Sequence, residues 1–271
     1  SLDAIDKAAD VAADLSKRFV VTAQQTAILN KLLLLHAKRN ALAARGQLTR
    51  IDGMALLAPT GSGKTRTLEW VFAELERLMA HSAKGKHDLR IVSVRMPTPS
   101  TLKTAAEAVM EEIGYPVNVK ATTEANATDR WEQLRRLLKA QRVTVLHFDE
   151  AQDIWGNANK PQRRAVINTL KSLSQNKDWP FIVVLSGTEE LADMVNQDQQ
   201  LGRRLKPVEI RLLKKATDAR TIRSVITTYC EEAGLAGFDQ VDPQFLDRFL
   251  IACCYRLGIA IDLIIGTITQ A

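Results

Sequence analysis

Residues 56–70 read LLAPTGSGKTRTLEW. An apolar run stops at Pro59, glycines stand at 61 and 63, Lys64 and Thr65 follow, and a helix-like pattern resumes. Glycines at a strand end let the backbone curl so that successive N–H groups converge. A helix that starts there adds the positive end of its dipole, and the resulting nest suits phosphate. The spacing Ala58-Pro59-Thr60-Gly61-Ser62-Gly63-Lys64-Thr65 matches the general phosphate-loop pattern at its last three fixed positions. It departs at the first, where a small alanine replaces glycine. The expected nucleotide-binding stretch is therefore Pro59, Thr60, Gly61, Ser62, Gly63, Lys64, Thr65 and Arg66. Lys64 would bridge the β- and γ-phosphates, and the Thr65 hydroxyl would hold Mg²⁺.

Outward from this loop, strands and helices alternate. A helix is expected over 22–45, with Ile28, Leu32 and Leu35 spaced for one face, and Gly46 stops it. Strands are expected at 54–58, 89–96, 143–148, 181–186 and 208–212. Helices are expected at 63–80, 101–113, 127–141, 160–175 and 189–196. The inner strands are almost wholly apolar, as strands covered on both faces must be. The fold class expected is α/β: a P-loop NTPase with a five-stranded parallel sheet flanked by helices, plus a small C-terminal all-helical lid. The expected division is a helical segment over 1–45, the α/β core over 46–215 and the lid over 216–271.

A nucleotide hydrolase also needs a metal-linked acid on another strand, and VTVLHFDEAQ supplies one. Asp149 follows an apolar strand and is expected to bind the metal. Glu150 is expected to polarise the attacking water. His147 reads as a packed or hydrogen-bonded core residue. A whole strand separates the phosphate loop from this acid pair, which points to the additional-strand class of P-loop proteins. FIVVLSGTEEL offers Thr188 as the γ-phosphate sensor, with Ser186 in reserve. DQQLGRRL places Arg203 and Arg204 before the last strand. Arg204 is the better candidate to reach a neighbouring subunit's nucleotide. A solvated or DNA-facing basic pair is the alternative.

The totals set wider limits. The chain has 271 residues, 37 Lys and Arg against 31 Asp and Glu, and a net charge of +6. That balance leans toward an anionic partner but also fits an ordinary enzyme. The three cysteines have no CxxC spacing, which argues against structural zinc or a disulfide framework. A reducing, cytoplasmic setting is the expectation. Residues 1–18 are charged throughout and do not read as a leader. The apolar stretch 249–265 contains Arg256 and Asp262 and reads as a core helix pair rather than a membrane span.

The set APTGSGKT, VLHFDEAQ, VVLSGTEEL and QQLGRRL, in that order, resembles the AAA+ superfamily. More narrowly it is similar to the TnsC/TniB family of transposition ATPases, relatives of MuB, from about residue 23 onward. The resemblance implies ATP with Mg²⁺, slow hydrolysis used as a timer, and self-assembly as a helical filament or ring on duplex DNA. It also implies a link between a TniQ-like target-selection protein and a transposase. DNA would be tracked by Thr101, Lys103, Lys120 and Thr122, which suit phosphate contact without reading sequence. Ordinary surface lysines and helix caps explain the same residues equally well. No aromatic-glycine pore loop lies between Met96 and Leu102, which argues against a peptide-threading machine. Many AAA+ lids carry a sensor arginine after a glycine in the last helix. Here Ile259 follows Gly258 and Arg256 is offset, so a weaker coupling of lid to nucleotide is expected. The alternatives are a helicase-loader or replication-type ATPase, and a signalling NTPase that does not act on DNA.

Overall fold

The computed structural model describes residues 2–81, 89–116, 126–156, 158–175, 178–235 and 241–270. Contacts divide the chain into a sheet unit, Ala27–Pro59 with Val71–Glu209, and a helical unit, Ser1–Thr26 with Thr60–Trp70 and Ile210–Ala271. Contact thus groups the chain differently from the linear division expected from sequence. Residues 1–26 and the phosphate loop belong with the C-terminal helices.

The sheet unit is built on β1 (Gly53–Leu57), β2 (Ile91–Arg95), β3 (Val145–Asp149), β4 (Ile182–Gly187) and β5 (Leu205–Glu209). All pair in parallel in the order β2-β3-β4-β1-β5. The three inner strands are buried at every residue, whereas the edge strands expose Ser93, Arg95, Lys206, Pro207 and Glu209. That contrast follows from position, since only an inner strand has both faces covered.

The last strand is the one misplaced by sequence. It runs over Leu205–Glu209, paired with Gly53–Leu57, rather than over 208–212. Pro207 has no N–H to give to a ladder, and an edge strand tolerates that loss. The alternation beyond it serves a different end: Leu213 is buried in the core of the helical unit.

Helices α4 (Leu102–Glu112) and α5 (Ala127–Ala140) pack on the sheet, and Trp131 Nε1 donates to Leu102 O at 2.9 Å. The unit also holds most of α2 (Ala23–Ala44), α6 (Asp153–Gly156), α7 (Lys160–Ser174), α8 (Glu189–Asn196) and α9 (Gln199–Arg204). Helix α3 (Lys64–Ala80) starts in the helical unit and ends in the sheet unit.

The helical unit combines α1 (Leu2–Lys17) with α10 (Lys215–Glu232), α11 (Pro243–Ala252) and α12 (Leu257–Ile268). Its core joins Leu15 of α1 to Ile222, Ile226, Leu250 and Ile264. Asp242 caps α11 by accepting from Phe245 N, and Pro243 occupies the first turn, where a missing N–H costs nothing. Helices α11 and α12 meet at a bend of 109°. Among the described residues no single helix is long and apolar enough to cross a membrane.

Candidate functional site

In the helical unit the phosphate loop has the backbone its sequence demands. Gly61 has φ +78° and Gly63 φ +83°, both in the region that side chains disfavour. The loop is held from outside by α12. Arg256 Nη1 donates to Thr60 O at 2.9 Å, and the backbone N–H of Ile259 donates to Gly61 O at 3.1 Å. Gly258 allows that approach. A Cβ on it would lie 2.5 Å from Gly61 O and 3.1 Å from Gly63 N. The lid helix is therefore coupled to the loop through backbone contacts, although no arginine follows Gly258 within the helix.

Several features of the loop fit a phosphate. The Ser62 hydroxyl is buried and has no hydrogen-bond partner. An unpaired buried hydroxyl costs about 1–3 kcal/mol, and an anionic oxygen would remove that cost. Lys64 is buried and Thr65 is exposed at the start of α3. Beside the loop a cavity of about 170 Å³ is lined by Phe19, Val20, Gln25 and Ile261 among others. Arg66, expected to touch nucleotide, also lines this cavity. Its guanidinium donates to Ser16 O at 2.5 Å and Arg18 O at 3.1 Å, tying down the segment after α1.

In the sheet unit the acid pair stands at the C-terminal end of β3, next to the end of β4. Asp149 is buried, and its Oδ1 accepts from Ser186 Oγ at 2.5 Å and from Glu150 N at 3.1 Å. Ser186, fully buried, lies 2.9 Å from His147 Nε2, and His147 Nδ1 lies 2.7 Å from Ser93 Oγ. A hydroxyl has one proton to give. If Ser186 gives it to the carboxylate, His147 must donate from Nε2 and accept at Nδ1. Burial drives the His147 pKa down to about 4 against the opposing pull of Asp149, so the ring is neutral at pH 7.

Glu150 has φ +52°, and its Oε2 accepts from Gln152 Nε2 at 2.6 Å. The Gln152 Oε1 accepts from Thr188 N at 3.4 Å. Gly187 makes room, since a Cβ there would come within 2.3 Å of that oxygen. Of the two sensor candidates, Ser186 therefore touches the acid itself. Thr188 stands at the N-cap of α8 without a side-chain capping bond, and its backbone is tied to Gln152. Sequence reasoning assigned no role to Gln152 or Ser93. The only local signal for Gln152 was its position two residues after Glu150.

Two further expectations meet a different geometry. Arg204 is 5% exposed, and its guanidinium faces Lys171 O at 3.5 Å and the side-chain amide of Gln175. A side chain buried in its own subunit is not poised to reach a neighbour's nucleotide. Arg203, one residue earlier, is exposed. Thr101 caps α4: its hydroxyl accepts from Thr104 N at 3.1 Å, and Thr104 Oγ1 accepts from Thr101 N at 2.8 Å. A reciprocal box of this kind accounts for both hydroxyls without DNA. Lys103 is half-buried on the first turn, while Lys120 and Thr122 lie outside the described residues.

Among the described residues no group of three or more His, Cys, Asp or Glu could hold a metal ion by itself. Magnesium at nucleotide sites commonly takes only one or two protein oxygens beside phosphate and water. The hydroxyl of Thr65 and the carboxylate of Asp149 are donors of that hard-oxygen type.

Comparison with known families decides the assignment. The model for "Bacterial TniB protein" matches residues 11–215. The chain belongs to the TniB family. No match was found among curated proteins. Among solved structures, this TniB-family chain is similar to the Aeropyrum pernix ORC1 protein in complex with DNA. The TM-score is 0.61 and the identity 19%, covering 93% of this chain and 61% of that one. It is also similar to Cdc6p from Pyrobaculum aerophilum, with TM-score 0.58, 15% identity, and coverage of 93% and 62%. Drosophila ORC bound to DNA gives a TM-score of 0.61 at 17% identity, with coverage of 98% and 60%. The chain thus spans about six-tenths of the length of each of these structures. At such identities the likeness concerns fold alone, an α/β P-loop NTPase fold.

Proposed function

We propose that this TniB-family chain binds ATP with Mg²⁺, hydrolyses it slowly, and in the ATP-bound state assembles on duplex DNA without reading sequence. There it would link a TniQ-like target-selection protein to a transposase. The observation that carries the nucleotide reading is the loop itself: two left-handed glycines, a buried Lys64 and a buried Ser62 hydroxyl that lacks a partner. The DNA and transposition parts rest on membership of the family.

Each residue has its own part. Backbone N–H groups over 61–65 and the Lys64 ammonium take the phosphate charge, and Thr65 and Asp149 hold the metal. Bound Mg²⁺ supplies neutralisation of the charge that builds on phosphate oxygens. Glu150 orients a water and takes its proton. Gln152 donates to Glu150 and fixes which way its carboxylate faces. Arg203, by its exposure, is the better candidate of the two arginines to act on a neighbouring copy. Lys103 and Lys120 give sequence-independent phosphate contacts.

Turnover and DNA binding test this together. ATP hydrolysis should require Mg²⁺ and disappear in Lys64→Ala. A fluorescent random-sequence duplex should bind with ATP or a non-hydrolysable analogue and be released with ADP. Preference for single strands would instead favour a helicase-loader role. Loss of nucleotide dependence would remove the proposal.

A further inference from the structure

Four polar side chains, Ser93, His147, Ser186 and Asp149, form a connected row on one face of the sheet. Parallel register sets Ser93 of β2 beside His147 of β3, and Phe148 beside Leu185, which brings Asp149 level with Ser186 of β4. His147 and Asp149 point to the same face because they are two apart on one strand. The bonds run Ser93 Oγ to His147 Nδ1, His147 Nε2 to Ser186 Oγ, and Ser186 Oγ to Asp149 Oδ1.

Apolar residues at 147 and 186 would fill the same buried strands without needing partners, because a polar group pays a desolvation cost that bonding only offsets. The row is satisfied at every link, and it ends on a carboxylate. Phe72, 5.3 Å away in an edge-on contact, keeps the imidazole plane from turning. Two hydrogen bonds, from Ser186 and from Glu150 N, converge on Oδ1 and fix the rotation of the carboxylate.

We propose that Ser186 is a positioning residue, oriented by His147 and Ser93, that sets the Asp149 carboxylate in the orientation needed to hold the metal ion. Ser186 is thereby assigned to Asp149 rather than to the γ-phosphate. The proposal rests on the reading of Asp149 as a metal ligand. Residues that orient a ligand from behind typically change metal affinity 10–100-fold when removed.

The test is Mn²⁺ binding, followed by electron paramagnetic resonance, to the full chain saturated with ADP. ADP affinity in EDTA and thermal stability are measured on the same samples. Ser186→Ala and His147→Leu should weaken Mn²⁺ roughly tenfold while ADP affinity in EDTA stays unchanged. Ser93→Ala, farther along the row, should weaken it less. His147→Gln places an amide donor near the position of Nε2 and should restore Mn²⁺ affinity, which a packing role would not predict. Asp149→Asn serves as the reference and should lose most of the metal affinity. If Asp149→Asn weakens Mn²⁺ but Ser186→Ala and His147→Leu do not, the positioning role is wrong and the ligand assignment stands. If Asp149→Asn has no effect either, both are wrong. Equal losses of Mn²⁺ affinity, metal-free ADP affinity and stability in Ser186→Ala would reduce the row to packing and overturn the proposal.

Discussion

The phosphate loop and the acid pair are held differently, by a close backbone approach at the first and a row of side chains behind the second. In the helical unit the loop is gripped by one backbone and one side-chain donor, Ile259 N on Gly61 O and Arg256 Nη1 on Thr60 O, with Gly258 kept bare so that the two segments can touch. In the sheet unit Asp149 accepts from Glu150 N and from Ser186 Oγ, and His147 stands behind Ser186 as the next member of a side-chain row. Adding an atom should damage the first arrangement most, and removing one should damage the second. Backbone contacts fix a shape and tolerate many side chains, whereas a side-chain row fixes one orientation and depends on every member.

The largest effect expected is at the acid pair. Glu150→Gln keeps the size and an acceptor for Gln152 but loses the base. Steady-state turnover should fall by at least about 10²-fold with ATP affinity nearly unchanged, as expected for a lost general base. Undiminished turnover would remove Glu150 from that role.

Next comes the added atom in the loop region. Gly258→Ala places a Cβ against Gly61 O, and overpacking of this kind costs about 1–3 kcal/mol. Both thermal stability and nucleotide affinity should fall. A variant with native affinity would mean that α12 does not set the loop.

Arg256→Ala removes an atom group at the same place and sharpens the contrast. It gives up the bond to Thr60 O while the backbone bond from Ile259 remains, so the loss should be about 1 kcal/mol, read from ADP titrations. A loss exceeding that of Gly258→Ala would reverse the order and make the grip a side-chain one.

The smallest effect concerns stability at low pH in the helical unit. Arg211 donates two hydrogen bonds to Asp218, at 2.6 and 2.8 Å, and holds that carboxyl below its ordinary value of 3.8. A lowered carboxyl pKa stabilises the fold above the unfolded value, and the benefit fades as pH falls through the folded one. Arg211→Ala should therefore lower the melting temperature slightly at pH 7. The difference from the parent should vanish once Asp218 is protonated in both. A difference that persists in acid would point to packing by the arginine stem.

What could be read from the sequence divides along the same line. The phosphate loop is local: glycine spacing, Lys64 and Thr65 lie within a few residues, and φ at Gly61 and Gly63 follows. The inner strands were equally plain as apolar runs between turns. The row behind Asp149 was not, because Ser93 is 54 residues from His147 and Ser186 is 37 from Asp149. Only the register of three strands brings them together. The burial of Arg204 was hidden for the same reason, since its partners Lys171 and Gln175 come from α7 and the turn after it. Strand β5 was misplaced because the apolar alternation past Pro207 serves the helical core instead. The α12 contact was hidden by the missing arginine, since backbone donors leave no mark in a sequence.

The most direct test of the central claim is negative-stain imaging of a long random-sequence duplex mixed with the protein and ATP, ADP or a non-hydrolysable analogue. Filaments or rings on the duplex with ATP and the analogue, cleared with ADP, are the result expected. A bare duplex in every nucleotide state would contradict the account.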